Sequence, residues 1–83
     1  MDWCHVTFAS ASGAIAAQKA LEGVCPAVVM PVLRQVSAGC GIALRVAKED
    51  VERVREILTR QEVPGWDLYA VTGTGEELRC ERL

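Results

Sequence analysis

Ala27-Val28-Val29-Met30-Pro31-Val32-Leu33-Arg34-Gln35-Val36-Ser37-Ala38-Gly39-Cys40-Gly41-Ile42-Ala43-Leu44-Arg45-Val46 lies mid-chain. It holds two short apolar segments joined by a polar, glycine-containing connection. Ala27 to Val32 is wholly apolar after Pro26, and its length and valine content favour a strand over a helix. Pro31 closes that strand or puts it on a sheet edge, where a missing N–H is tolerated. In Ile42 to Val46 the residues Ile42, Leu44 and Val46 share one face, the period-two pattern of a second strand. Two strands joined this way form a hairpin, and the connection carries Arg34, Ser37 and a cysteine flanked by Gly39 and Gly41.

On the N-terminal side, Gly23 is a helix stop. The Ala-rich segment before it repeats Ala14, Ile15, Ala17, Ala20 and Leu21 at helical spacing, after the N-cap candidates Ser10 and Ser12 and Gly13. Earlier still, Cys4, Val6 and Phe8 alternate with Trp3, His5 and Thr7, a half-buried strand. His5 falls on the less apolar face, which favours a surface or sheet-face histidine over a catalytic base. On the C-terminal side, Lys48 to Gln61 predicts a helix with the stripe Val51, Val54, Ile57 and Leu58 and acidic residues in its first turn. Val63-Pro64-Gly65 ends it, and Trp66 to Thr72 forms the last strand. The order β-α-β-β-α-β predicts an α+β, ferredoxin-like sandwich, with two helices on one face of a four-stranded antiparallel sheet. The expected organisation is one domain over residues 1–83, with an ordered core at about 3–73. The charged tail 74–83 is open between a frayed end, a turn of helix and a partner contact.

Composition narrows the function. A formal net charge of −2 and only four aromatic residues give no footprint for nucleic acid. The longest apolar run, Val24 to Leu33, is interrupted by two prolines and is too short to span a bilayer. The first residues lack a signal-peptide layout, so the expected location is cytoplasmic. Four cysteines occur without a Cys-x-x-Cys pair. That pattern favours reduced thiols and gives no metal-ligand spacing.

A right-handed crossover brings the end of the first strand and the start of the third to the same end of the sheet, where the first helix begins. Cys40 is therefore expected near Ser10, Ser12 and Gly13, with the Pro64-Gly65-Trp66 connection beside them. Helix N-terminal amides stabilise an anion, and a thiol near them or near a cation such as Arg34 deprotonates more readily. Gly39 and Gly41 leave the sulfur unshielded, and Ser37 can hydrogen-bond a thiolate or close the turn. The opposing reading is a small buried cysteine that starts a strand, because Cys40 has the parity of Ile42 and Leu44. Cys4 reads as core and Cys25 as partly buried. Cys80, in the tail, has no activating neighbour.

Pro31, Arg34, Ser37, Cys40 and Gly41, set between these strands, resemble the corresponding stretch of a family of small proteins described as selenium/sulfur carrier-like. The resemblance runs from about Cys4 to Thr72. Leu33 stands where such proteins often carry a second proline. The resemblance implies a carrier rather than a turnover enzyme. Cys40 would accept sulfur or selenium as a persulfide or selenosulfide, assisted by Arg34 and Ser37. Protein donors and acceptors would be the partners, and no cofactor and no membrane are expected. The alternative is a non-catalytic small-molecule-binding or regulatory module that forms a homodimer, with Cys40 structural; this rests on fold-level analogy. A metal chaperone of this topology would need paired cysteines after the first strand, and Ala9 to Gly13 has none.

Overall fold

The computed structural model describes residues 1–36 and 39–83. The elements run β1 (Trp3–Phe8), α1 (Ala11–Leu21), β2 (Ala27–Pro31), β3 (Ile42–Ala47), a 3-10 turn (Lys48–Asp50), α2 (Val51–Arg60), β4 (Trp66–Thr72), a second 3-10 turn (Gly75–Glu77) and β5 (Arg79–Arg82). The strands form one antiparallel sheet in the order β2-β3-β1-β4-β5. Among the described residues, no helix is long and apolar enough to cross a membrane.

The period-two alternation of β1 sends Cys4, Val6 and Phe8 to one face. There they form a single core with Leu44, Val46 and Leu68 of the neighbouring strands, Ala14, Ala17 and Leu21 of α1, and Val51, Val54 and Leu58 of α2. Both helices thus cover the same side of the sheet. Ser10 caps α1, its hydroxyl accepting the Gly13 amide at 3.4 Å. Ile15, expected on the buried stripe, is 54% exposed, because the contact row of α1 is the narrower Gly13-Ala14-Ala17-Leu21 line. The second helix begins later than predicted, since residues 48–50 form a tighter turn. It ends in a Schellman motif: the Val63 amide reaches the Leu58 carbonyl at 3.0 Å and the Glu62 amide reaches Thr59 at 3.1 Å. Glu62 occupies the left-handed position of that motif, with φ 53°.

The four-stranded, ferredoxin-like expectation needs correction. The sheet has five strands, because residues 79–82 return along the free edge of β4. Gly73 and Gly75, both at positive φ, turn the chain back. Cys80 pairs with Val71, and Arg82 forms an ion pair with Asp67 at 2.8 Å. Arg79-Cys80-Glu81-Arg82 has no apolar alternation, so nothing local marks it as a strand; the open edge of β4 supplies its backbone partners.

The face away from the helices is also closed over part of its width. His5 and Thr7 of β1, Ala43 of β3 and Val71 of β4 alternate with the core residues and are all buried there. The Trp3 ring meets His5 edge-on, at 5.7 Å between ring centroids, and the Arg45 guanidinium lies 4.6 Å over Trp3. Leu33, in the β2–β3 connection, donates its amide to His5 Nε2 at 3.2 Å.

Candidate functional site

The β2–β3 connection is closed at its base by the Val32 amide donating to the Gly41 carbonyl at 3.1 Å. A turn follows, with the Val36 amide on the Leu33 carbonyl at 3.0 Å and Arg34 exposed within it. The returning limb passes the end of β1 at close range. A Cβ placed on Gly39 would lie 2.3 Å from the Ala9 carbonyl oxygen, so only glycine lets the two backbones approach this far. Ala9 is also contacted from another side. It donates its amide to the Gly65 carbonyl at 2.8 Å, and a Cβ on Gly65 would sit 2.8 Å from the Ala9 methyl. Gly13, in the first turn of α1, lies so close to Pro64 that a Cβ would be 2.7 Å from its carbonyl oxygen.

Three connections therefore converge on the residue just before the cap of α1: the Cys40 loop, the β1–α1 turn and the segment entering β4. Ser10 and Ser12 share a hydroxyl hydrogen bond of 3.0 Å. The first-turn amides of Ala11 and Ser12 have no acceptor within the helix and form its electropositive end.

Cys40 follows Gly39 directly. Gly41 has φ 73°, in the left-handed region, and β3 begins only at Ile42. Regular strand backbone therefore begins only after Cys40, so strand parity alone does not fix its side chain. The side chain is half-buried, packs against the rim of the core, and its thiol donates to the Ile42 carbonyl at 3.3 Å. No hydrogen bond or ion pair joins Arg34 to the Cys40 thiol among the described residues. Ser37 lies outside the described residues. No group of three metal-ligating side chains occurs among the described residues.

The other cysteines sit at the far end of the sheet. Cys4 faces Val46, Cys25 lies two residues before Ala27, which faces Val46, and Cys80 aligns through Val71 and Trp3 with Ala47. From strand spacing and rise, Cys80 is roughly 25 Å from Cys40, far beyond disulfide reach. Burial raises all three of these thiols: Cys4 to about 11, with Cys25 and Cys80 also shifted upward. A thiol so placed stays protonated and is a poor nucleophile.

Residues 4–70 match the family described as "Putative Se/S carrier protein-like". The chain belongs to this family. No curated protein and no solved structure matches it. In this carrier-like protein the residues that bear the resemblance occupy one connection and its anchors: Pro31 ends β2, Arg34 stands in the exposed turn, and Cys40-Gly41 leads into β3.

Of the two positions expected for His5, surface or sheet face, the structure has the sheet face. His5 lies on the sheet face away from the helices and is fully buried rather than at the surface. Period-two alternation could assign its face, but not the loop that covers it, because that contact joins residues 28 positions apart.

Proposed function

We propose that this protein carries sulfane sulfur or selenium on the Cys40 thiol. The observation that carries the reading is the isolation of Cys40. It is a half-exposed thiol at a glycine-built junction beside a helix N-terminus, while the remaining cysteines are at the other end of the sheet with raised pKa. A lone thiol suits transfer to and from partners, because no internal cysteine can resolve the adduct as a disulfide. The β2-β3-β1-β4 portion with its two helices is read as a ferredoxin-like unit extended by β5.

The Cys40 thiolate attacks the outer sulfur of a donor persulfide. A bond forms between Cys40 Sγ and that sulfur, the donor's S–S bond breaks, and the donor leaves as a thiolate. The sulfur moves at constant oxidation state, so no external oxidant is required. An acceptor nucleophile then attacks the outer sulfur and releases the Cys40 thiolate. A donor selenosulfide reacts in the same way and leaves a selenosulfide on Cys40. Arg34, exposed in the turn, would meet the anionic donor, and Gly41, with nothing within 4 Å of where a Cβ would sit, leaves room for it.

The test is incubation with an organic persulfide followed by intact-mass and peptide analysis. One added sulfur mapped to Cys40, and lost in Cys40→Ser, is expected. Equal loading of the variant refutes the assignment.

A non-catalytic dimeric module has one observation in its favour. The open edge of β2 exposes Val28 (60%) and Val29 (50%) with no charge in the strand. Because Val32 and Gly41 form a hydrogen-bonded pair, Ala27, Val29 and Pro31 direct their backbone groups to that open edge. A second copy lying antiparallel about Val29 would pair Val29 with Val29 and Ala27 with Pro31. The missing proline N–H costs that arrangement one bond at each end.

A further inference from the structure

We propose that His5 is a positioning residue that latches the β2–β3 connection, and with it Cys40, onto the sheet; its consequence for Cys40 rests on the carrier reading above. Among the described residues, three contacts hold this connection. The Val32–Gly41 hydrogen bond closes its base, Gly39 sits against Ala9, and the Leu33 amide donates to His5 Nε2. The third fixes the outgoing limb. It is a side-chain contact between residues 28 apart, and it pulls the turn bearing Arg34 down over the helix-free face.

The chemistry of the contact constrains the imidazole. Nε2 accepts, so the neutral ring carries its proton on Nδ1. Nδ1 has no hydrogen-bond partner among the described residues, and His5 is 0% exposed. A polar ring is therefore held in a dry position where only one of its two nitrogens is satisfied, and that nitrogen is the one holding the loop. Protonation would place an N–H opposite the Leu33 N–H and break the latch.

The surroundings favour the neutral form. Arg45 of β3 and Tyr69 of β4 stand directly opposite His5 in the sheet, and β2 contributes Val28 and Met30 to this face. The carboxylate of Asp67, opposite Thr7, is engaged by Arg82 of β5. Arg34 lies in the turn itself. Burial lowers the His5 pKa from its usual value, so the latch is closed at neutral pH and opens as pH falls below about 6.5 toward the depressed value.

The experiment compares the parent with His5→Phe, which removes the acceptor but keeps a ring against Trp3, and His5→Gln, whose amide oxygen can accept from Leu33 without titrating. Hydrogen exchange at the Leu33 amide is read by NMR, with Leu44 as a core control. The rate of Cys40 alkylation is read in parallel. Expected are a loss of Leu33 protection of about tenfold or more in His5→Phe with Leu44 unchanged, and its retention in His5→Gln. The Cys40 rate should change in His5→Phe. The ratio of parent to His5→Gln rates should be constant at neutral pH and depart from constancy below about pH 6.5. If His5→Phe does not fold, the comparison of parent with His5→Gln across that pH range decides alone.

Unchanged Leu33 protection in folded His5→Phe overturns the latch, and a pH-independent ratio of Cys40 rates overturns its hold on Cys40. Lost protection with an unchanged Cys40 rate overturns the positioning role. Sulfur loading that persists in Cys40→Ser overturns the carrier reading instead, while the Leu33 measurement still supports or refutes the latch.

Discussion

Replacing Gly39 by alanine tests the junction on which the site depends. The added Cβ would lie 2.3 Å from the Ala9 carbonyl oxygen, 3.1 Å from its carbonyl carbon and 3.3 Å from its Cα. The first distance is roughly 1 Å short of an ordinary contact. All three atoms are backbone, so no side-chain rotation relieves the clash; either the Cys40 limb or the β1–α1 turn must move. The turn is held by the Ala9–Gly65 hydrogen bond and by the Ser10 cap, so the limb carrying Cys40 is the part displaced. Overpacking of this kind costs about 2 kcal/mol, which in a domain of this size lowers the melting temperature by about 8–16 °C. Gly41→Ala provides the contrast. Nothing lies within 4 Å of its Cβ, and its cost is the left-handed backbone alone, about 1–2 kcal/mol before any gain from a stiffer unfolded chain. The assay is thermal unfolding of both variants together with the rate of Cys40 alkylation by iodoacetamide. Gly39→Ala should lose stability and alter the Cys40 rate. A variant that melts within about 2 °C of the parent and alkylates at the parental rate would show that Gly39 does not hold the loop against Ala9.

Glu62 occupies a left-handed position normally filled by glycine. Glu62→Gly should therefore stabilise the protein by about 0.5–1 kcal/mol, the relieved strain being partly offset by the freer unfolded chain. A lower denaturant midpoint in this variant would contradict that account of the end of α2. If β2 pairs with its symmetry mate, sedimentation should show a concentration-dependent dimer of the parent and a monomer for Val29→Lys, because a cation at the centre of the edge opposes the approach of its own copy. A parent that remains monomeric at high concentration removes the observation favouring the dimeric module.

Much of the fold is local and so readable from the residues. The alternation of Cys4, Val6 and Phe8 against His5 and Thr7 requires a strand with two distinct faces. The Ser10 cap and Gly23 bracket α1, and the stripe Val51, Val54 and Leu58 requires α2 to pack on the same core. Handedness of the crossover follows from chain chirality, which is why the sequence alone sets the Cys40 connection near the start of α1.

Other features depend on partners distant in sequence. The strand β5 exists because β4 offers it an unpaired edge, not because Arg79-Cys80-Glu81-Arg82 has strand character. The left-handed Glu62 has no signature in its residue type; it is imposed where the chain must leave α2 to bury Val63.

For the site, the sequence by itself determined that a cysteine flanked by glycines follows a proline-ended strand. It also placed strand parity in conflict with an accessible thiol. Only the tertiary structure decided that conflict: Gly41 adopts a left-handed conformation, Gly39 is pressed onto Ala9, and the loop is drawn across the sheet to His5. The physical reason is that parity extends only as far as regular backbone does. Where the chain leaves the strand, the direction of a side chain is set by long-range contacts.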